Sequence, residues 1–423
     1  QPGCFRNPFG TLTLMLRAIL AASAAHAAAV TIGRASLAAQ LGKVSVDEDG
    51  HLSNGGEQNA GGELSGNESS HVGALGGAGV LVHYHTGFFG SVEARELSEQ
   101  ECELPCALAP YHAQESVAQQ VAERADLLLA FPIPPTPPQN ARGAAVLALN
   151  MEASGYGLEN AANYTGTATP SYLSTVPWPY FGLSRWRGIH ERLHGPDRER
   201  LFPSFEQRLP AAVWMSRNCP VLEEAPKRTV LVQELVRRGV PIHSISKCSA
   251  IGTRHPWPEG VERSDKLGAL RKYRVYLAFE NAVQDFYVSE KAIDGFDAGA
   301  VPVYLGAPNV REYVPEDGLI SANAALEALE APGPARSQQL DILASKIKSA
   351  VTDKATWQSY MGWQDQAVEE LNGGDLARRW SFTDGVDGYC RMCRYAYATL
   401  TPGSHWDHDK QQAVGGPPPP ARG

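Results

Sequence analysis

The chain has 423 residues, enough for two domains with separate cores, and 43% of them are hydrophobic, the share of a globular protein rather than of a disordered or collagenous one. A formal net charge of -9 argues against a nucleic-acid binder, which needs a basic face, yet a few local cations can still hold an anionic nucleotide. Seven cysteines are too few for a disulfide scaffold but suit a secretory protein with two or three bridges.

Thr11–Ile32 is apolar and Ala-rich, interrupted by Arg17 and His26. It reads either as a membrane anchor or as a signal-peptide core with Ala27-Ala28-Ala29 at its cleavage end. Gly42–Gly79 is rich in Gly, Ser, Asn and acids and has almost no large apolar side chains, so it reads as a flexible stem. Asn67-Glu68-Ser69 and, further on, Asn163-Tyr164-Thr165 are glycosylation acceptor tripeptides. No dinucleotide fingerprint, P-loop, H-E-x-x-H or nucleophile elbow occurs in the sequence.

Val80–Tyr84, Ala125–Phe131 and Ala144–Asn150 read as buried strands. Between the first two, Cys102 and Cys106 suggest a local disulfide in preference to half of a zinc site. Just past the third strand stands Met151–Asn160, MEASGYGLEN. One surface glutamate is ordinarily only solvated, but a carboxylate at the ligand edge of an α/β sheet can take the proton from an attacking hydroxyl. Glu152 is the candidate base, with Glu159 second.

Gly182–Pro210 carries six arginines and reads as an interdomain passage with a mostly solvated face. A strand over Ala211–Met215 opens the second domain. The helix expected from about Arg228 to Arg238 has Val230, Leu231, Leu235 and Val236 as its buried stripe and Gly239 as its cap, and a strand follows over Pro241–Ile245.

The most informative stretch is Tyr273–Tyr313, YRVYLAFENAVQDFYVSEKAIDGFDAGAVPVYLGAPNVREY. Tyr276–Phe279 has the composition of a buried strand and stops on Glu280-Asn281. After a loop, Ser289-Glu290-Lys291 opens a helix that closes at Gly299, and Val301–Gly306 is the next strand. This is one βαβ step of a parallel sheet, whose ligand edge collects Asn281, Tyr287, Glu290 and Lys291. Beyond it come a short strand at Leu319–Ser321, a helical stretch over Gln338–Trp363, and Cys390-Arg391-Met392-Cys393, which by spacing alone fits a redox motif or half a zinc site. Gly415–Gly423 contains four consecutive prolines and reads as a tail.

The run FEN-x₅-YVSEK followed by AG-x-VPV-x-LGAPN resembles the donor-binding signature of the α1,3-fucosyltransferases of glycosyltransferase family ten, most nearly the plant, algal and invertebrate enzymes of the N-glycan core. Met151–Asn160 is similar to their M-E-x₃-Y-x₂-E-N, and Ser216-Arg217-Asn218-Cys219 to the end of their W-x-x-S-N-C. The resemblance implies two Rossmann-like αβα domains facing across a cleft (GT-B). It puts the acceptor domain at 80–209, the GDP-fucose domain at 210–365, a helical segment with a C-x-x-C disulfide at 366–410 and a disordered tail at 411–423, behind an N-terminal segment and stem at 1–79. It further implies Glu152 as base, Arg228 and Lys291 on the diphosphate, Asn281 and Tyr287 on the nucleotide-sugar, and Glu290 on fucose hydroxyls and the growing positive charge.

No metal is required on this reading, and a divalent cation enters only as a stimulant. The implied setting is a type II Golgi membrane protein with a lumenal catalytic domain, acting on the innermost N-acetylglucosamine of glycoprotein N-glycans. The sequence departs from the family at Thr175, where Asp is usual in S-D-V-P-x-x-Y-F, and is shorter between Asn160 and Tyr164. His243 and Ser246 also replace its usual Asp and Gly. The departures near 161–181 lie on the acceptor side and leave antenna N-acetyllactosamine as the alternative acceptor, with a nucleotide-sugar binder lacking catalysis as a third reading.

Overall fold

The computed structural model describes residues 79–417, apart from 87–93, 112–114, 140–141, 154–156, 217–224, 246–254 and 331–332, together with a short pair of strands nearer the N-terminus. The apolar segment 11–32, the Asn67 acceptor tripeptide, Tyr156, Cys219, Cys248 and Pro418–Pro420 of the tail lie outside the described residues. The chain divides into two units, Gln1–Asn67 and Glu68–Gly423. In the first, β1 (Val44–Val46) pairs antiparallel with β2 (Leu52–Asn54), within the stretch read as stem.

The second unit holds two sheets. The first contains β3 (Val80–Tyr84), β4 (Arg95–Leu97), β5 (Cys106–Ala109), β6 (Leu127–Ala130), β7 (Ala145–Leu149) and β8 (Gly166–Ala168) in the order β4-β5-β3-β6-β7-β8. All its neighbours run parallel except β4 against β5. The second contains β9 (Leu209–Trp214), β10 (Ile242–Ser244), β11 (Tyr273–Phe279), β12 (Val301–Leu305) and β13 (Ile320–Ser321), all parallel, in the order β10-β9-β11-β12-β13. Both orders reverse direction next to the first strand of the sheet, the doubly wound pattern whose crevices at strand carboxyl ends bind ligands. The expected α/β architecture of two Rossmann-like layers is therefore present, and residues of the two carboxyl edges meet, as described below.

The strands are apolar on both faces because helices cover both. On the first sheet, Val121 and Ala122 of the helix Glu115–Arg124 cover Leu81, Leu128 and Val146. The opposite face is closed from the far end of the chain, by Met392, Tyr395 and Ala396 of the helix Gly388–Leu400. On the second sheet, Leu231, Val232 and Leu235 of the helix Ala225–Arg237 share a core with Leu340, Leu343 and Ile347 of the helix Pro334–Thr352. The other face packs Trp186 and Ile189 of the helix Leu183–His194 against Phe296 of the helix Glu290–Asp297.

Several expectations are corrected. The stripe on 225–237 runs through Leu231, Val232 and Leu235, while Val230 and Val236 are exposed, since only residues three and four apart share a helix face. The stretch 338–363 is not one helix: Asp353 takes extended backbone and caps a new helix at Lys354–Ser359 by accepting from Thr356 N–H. Nor is the arginine-rich passage all solvated. Arg208 is 3% exposed and donates to the carbonyls of Pro203, Arg271, Tyr273 and Ala298, and burial, with Arg271 nearby, pulls its pKa down to about 9. Arg185 and Arg192 both bind Asp297. The tail starts later than 411: Gln411 is buried, and Gln412–Gly415 pairs with Ser404–Asp407 as a hairpin.

The largest correction concerns the cysteines. Neither C-x-x-x-C nor C-x-x-C closes on itself. Cys102 pairs with Cys390 and Cys106 with Cys393, across separations of 288 and 287 residues. The reason is packing: Cys102 ends a short helix, Cys106 begins β5, and both point into the face that the helix Gly388–Leu400 covers. In a non-reducing digest with trypsin and a glutamate-specific protease, which cut after Arg391 and Glu103, mass spectrometry should find Cys102 joined to Cys390 and Cys106 to Cys393. Replacing Cys106 and Cys393 together by Ser should cost about 2–4 kcal/mol in chemical denaturation, and local 102–106 and 390–393 loops in the digest would contradict the pairing.

Candidate active site

The site begins where β7 ends. Asn150, 1% exposed, accepts the Glu152 N–H on Oδ1 at 2.8 Å, an Asx turn that stops the strand and lifts Glu152 over the sheet edge. Further along, Gly157 has a φ of +82°, and a Cβ there would fall 2.0 Å from the Ile133 carbonyl oxygen. Only glycine fits there. Glu159, on the next 3-10 turn, Leu158–Asn163, is exposed and makes none of the contacts that follow.

On the other side, β11 ends on Glu280 and Asn281. Glu280 is 1% exposed and accepts from both Ser289 N–H (2.7 Å) and Ser289 Oγ–H (2.6 Å), with Lys291 Nζ 3.3 Å from its second oxygen. Ser289 caps the helix Glu290–Asp297, so one buried carboxylate fixes strand end, helix start and lysine together. Burial pushes the Glu280 carboxyl up, opposed by Lys291 and the Ser289 hydrogen bonds. Burial alone would lower Lys291, but the Glu280 and Glu290 carboxylates outweigh it and raise its pKa. Glu290 is 45% exposed. Burial pushes it up, yet the Lys291 and Lys266 ammonium groups hold it below the usual glutamate range. Lys266 lies 3.6 Å from Glu290 and 2.6 Å from Asp294.

Arg228, expected in the helix's first turn, lies one residue past it, because the helix begins at Ala225. It is 2% exposed and donates through Nη1 to the carbonyls of Phe279 and Glu280 and to Asn281 Oδ1 (2.8 Å), and through Nη2 to Ser216 Oγ (2.9 Å). It thus braces the end of β11 and the side chain of Asn281.

Tyr287 joins the two halves. Its ring is 3% exposed and its hydroxyl donates to Glu152 Oε2 at 3.0 Å. Tyr180 stands edge-on to it, with ring centroids 6.2 Å apart, and donates to the Met151 carbonyl at 2.7 Å. Both phenols have raised pKa values, first from burial and then from nearby carboxylates including Glu152, so both are neutral hydrogen-bond donors at ordinary pH. Beside Glu152 and Tyr287 opens a cleft of about 300 Å³ lined also by Thr169, Ser174, Gln284 and Asp285.

The expected set Glu152, Asn281, Tyr287, Glu290, Lys291 and Arg228 therefore lies along one seam between two strand edges. Reading the sequence missed Glu280, Asn150 and Tyr180. A glutamate closing an otherwise apolar strand was the available signal for Glu280; Tyr180 becomes visible only once Tyr287 is placed. Among the described residues, no group of three or more His, Cys, Asp or Glu is positioned to hold a metal ion, and no helix is long and apolar enough to cross a membrane.

A doubly wound pair with a carboxylate on one edge and a lysine-opened helix on the other has its polar groups at the strand carboxyl ends, where such sheets bind ligands. Residues 205–402 match the model of the glycosyltransferase family 10 (fucosyltransferase) C-terminal region. The chain is similar to a putative fucosyltransferase-like protein of Arabidopsis thaliana, 25% identical over 252 residues covering 58% of this chain and 41% of that one. It is similar to an alpha-(1,4)-fucosyltransferase of the same plant, at 27% over 167 residues, 36% of each chain. A GDP-fucose protein O-fucosyltransferase 3 of Homo sapiens matches at 25% over 206 residues, 46% of this chain and 40% of that one. The chain thus spans well under half the length of these curated relatives. Among solved structures, an alpha1,3-fucosyltransferase with GDP-fucose superposes with a TM-score of 0.39 and 14% identity, over 63% of this chain and 79% of the other. At that score the fold assignment rests on the strand order itself.

Replacing Lys291 by Met should destabilise the protein by about 3–5 kcal/mol, because it strands the buried Glu280 carboxylate. The sign with pH follows from the raised Glu280 pKa: a protonated carboxyl needs no partner, so the loss is smallest in acid. In thermal melts between about pH 5 and pH 8 the gap between variant and parent should widen as pH rises; a gap that is constant or narrows would mean that Glu280 does not depend on Lys291.

Proposed function

We propose that the protein is an inverting fucosyltransferase that moves fucose from GDP-β-L-fucose to a glycan hydroxyl in α1,3 linkage. The observation that carries this reading is the hydrogen bond between Tyr287 and Glu152, which brings a carboxylate from one sheet edge against the Glu290–Lys291 helix start of the other. The family match over the second sheet supports the donor.

In this mechanism the diphosphate lies near Lys291 and the amino end of its helix, where cationic charge and free N–H groups meet the negative charge that grows as fucose leaves. Glu290, kept ionised by Lys291 and Lys266, faces the positive charge that develops at the anomeric carbon. Glu152 removes the proton from the acceptor hydroxyl as its oxygen attacks from the face opposite the departing nucleotide. Tyr287 donates to one Glu152 oxygen, which leaves the other to point at the acceptor. Arg228 braces Asn281 and the strand end, an indirect contribution that adds to any direct contact with phosphate.

For the acceptor, we propose the innermost N-acetylglucosamine of N-glycans, on the strength of Met151–Asn160. The altered segment 161–181 favours antenna N-acetyllactosamine as the second choice, and the protein O-fucosyltransferase relatives add serine or threonine in a peptide to the panel. The Golgi lumen, reached through an N-terminal anchor, is the compartment this reading requires, and the long-range disulfides suit an oxidising one.

Incubation with GDP-fucose and these three acceptors, read by mass gain and linkage, tests the proposal. Transfer should fall by about 10²–10⁴ in Glu152→Gln with GDP affinity unchanged. Lys266→Met should move the acidic limb of the rate profile to higher pH, because removing a cation raises the Glu290 pKa. Transfer by Glu152→Gln at the parent rate would remove Glu152 from the mechanism.

A further inference from the structure

A second cleft, of about 510 Å³, lies on the other side of the Met151–Tyr180 contact, between the hinge at 178–184 and the first turn of the helix Gly388–Leu400. Its volume falls within the roughly 300–1,000 Å³ of small-ligand pockets. Three aromatic side chains, Trp178, Tyr180 and Tyr389, line it. Their positions are fixed from behind. Tyr389 meets Trp178 edge to face at 4.8 Å, and its hydroxyl pairs with that of Tyr84 at 2.9 Å. A Cβ on Gly388 would fall 2.6 Å from the Trp178 ring, so glycine lets the helix lie flush against the indole.

The polar groups indicate the chemistry of an occupant. The Trp178 indole N–H makes no hydrogen bond to the described residues, and Asp387 gives one carboxylate oxygen to the Tyr389 N–H. The lining includes one arginine, Arg391. It is 3% exposed, and its two terminal nitrogens are spent on the Val386 and Pro177 carbonyls. The surface therefore offers aromatic faces, an indole donor and a carboxylate acceptor, with its cation turned inward. Phosphate and other anions find no free cation among the described lining residues, and the Asp387 carboxylate repels them. A neutral pyranose, with C–H groups on its faces and hydroxyls around its edge, matches each feature.

The cleft also adjoins the reacting centre: Met151 precedes Glu152, and Tyr180, in its wall, packs on Tyr287. Resting on the fucosyltransferase reading above, we propose that this cleft is a carbohydrate subsite that holds the sugar rings of the acceptor glycan beyond the one that receives fucose. Trp178 is its stacking platform, and it is a specificity-determining residue for oligosaccharide over monosaccharide acceptors.

The test uses the full chain with a trimannosyl-chitobiose pentasaccharide, an N-acetylglucosamine glycoside and an unglycosylated peptide as probes. The indole N–H resonance of Trp178, assigned by its absence in Trp178→Phe, should shift with the pentasaccharide and not with the peptide. In transfer assays the pentasaccharide should exceed the monosaccharide by about tenfold in kcat/KM, and Trp178→Leu should erase that advantage while leaving GDP affinity and monosaccharide transfer within about twofold. A shift without transfer to any acceptor would support the subsite and overturn the fucosyltransferase reading. Transfer without a shift, a shift produced by the peptide instead, or equal loss on both acceptors in Trp178→Leu would overturn the subsite and leave the transferase reading standing.

Discussion

A single buried carboxylate, Glu280, organises the second sheet's edge of the site. It follows the apolar end of a strand, Val275–Phe279, accepts two hydrogen bonds from the residue that caps the next helix, and faces Lys291, two residues past that cap. A lone ion there would be costly; with Lys291 and Ser289 it becomes a rigid three-way joint. Every other charged group of the seam is referred to that joint. Arg228 binds the Glu280 carbonyl, Glu290 is held ionised by the same lysine, and Tyr287 reaches Glu152 from the loop that the joint closes.

The geometry also explains how two weakly interacting edges come to share one site. Asn150 after β7 and Glu280 after β11 do comparable work, each fixing the chain beyond a strand's carboxyl end with a buried side-chain acceptor, Asn150 through a tight turn and Glu280 by tying the next helix start. What projects beyond those turns, Glu152 from one and Tyr287 from the other, meets across the seam. Tyr287 stays neutral and donates to Glu152, and Tyr180 donates to the neighbouring Met151 carbonyl, so Glu152 is oriented by neutral donors rather than by a salt bridge.

Much of this was legible in the sequence wherever the chemistry is local. The step Tyr273–Leu305 places strand, polar loop, helix and strand in one continuous run, and Glu152 follows its strand by three residues. What sequence reading lost is tertiary. The cysteine pairs sit three or four residues apart and invite local closure, but their true partners are set by which helix covers β5. Arg208 looks like one more solvated arginine in a basic stretch, and only four converging carbonyls from distant loops make it internal. Val230 and Val236 show the same gap at small scale, since composition does not say which of two adjacent apolar residues faces the sheet.

The helix Gly388–Leu400 belongs to the first sheet although the whole second sheet intervenes in sequence. The first sheet is thus a discontinuous layer into which the second sheet and its helices are inserted. During synthesis the strands from Val80 onward emerge long before the helix that covers one of their faces, so that face stays open until residues 388–400 have been made. A cell producing this protein must shield that unfinished apolar surface while the second sheet is being translated, whereas the inserted half, whose strands and covering helices are contiguous, can fold as it appears.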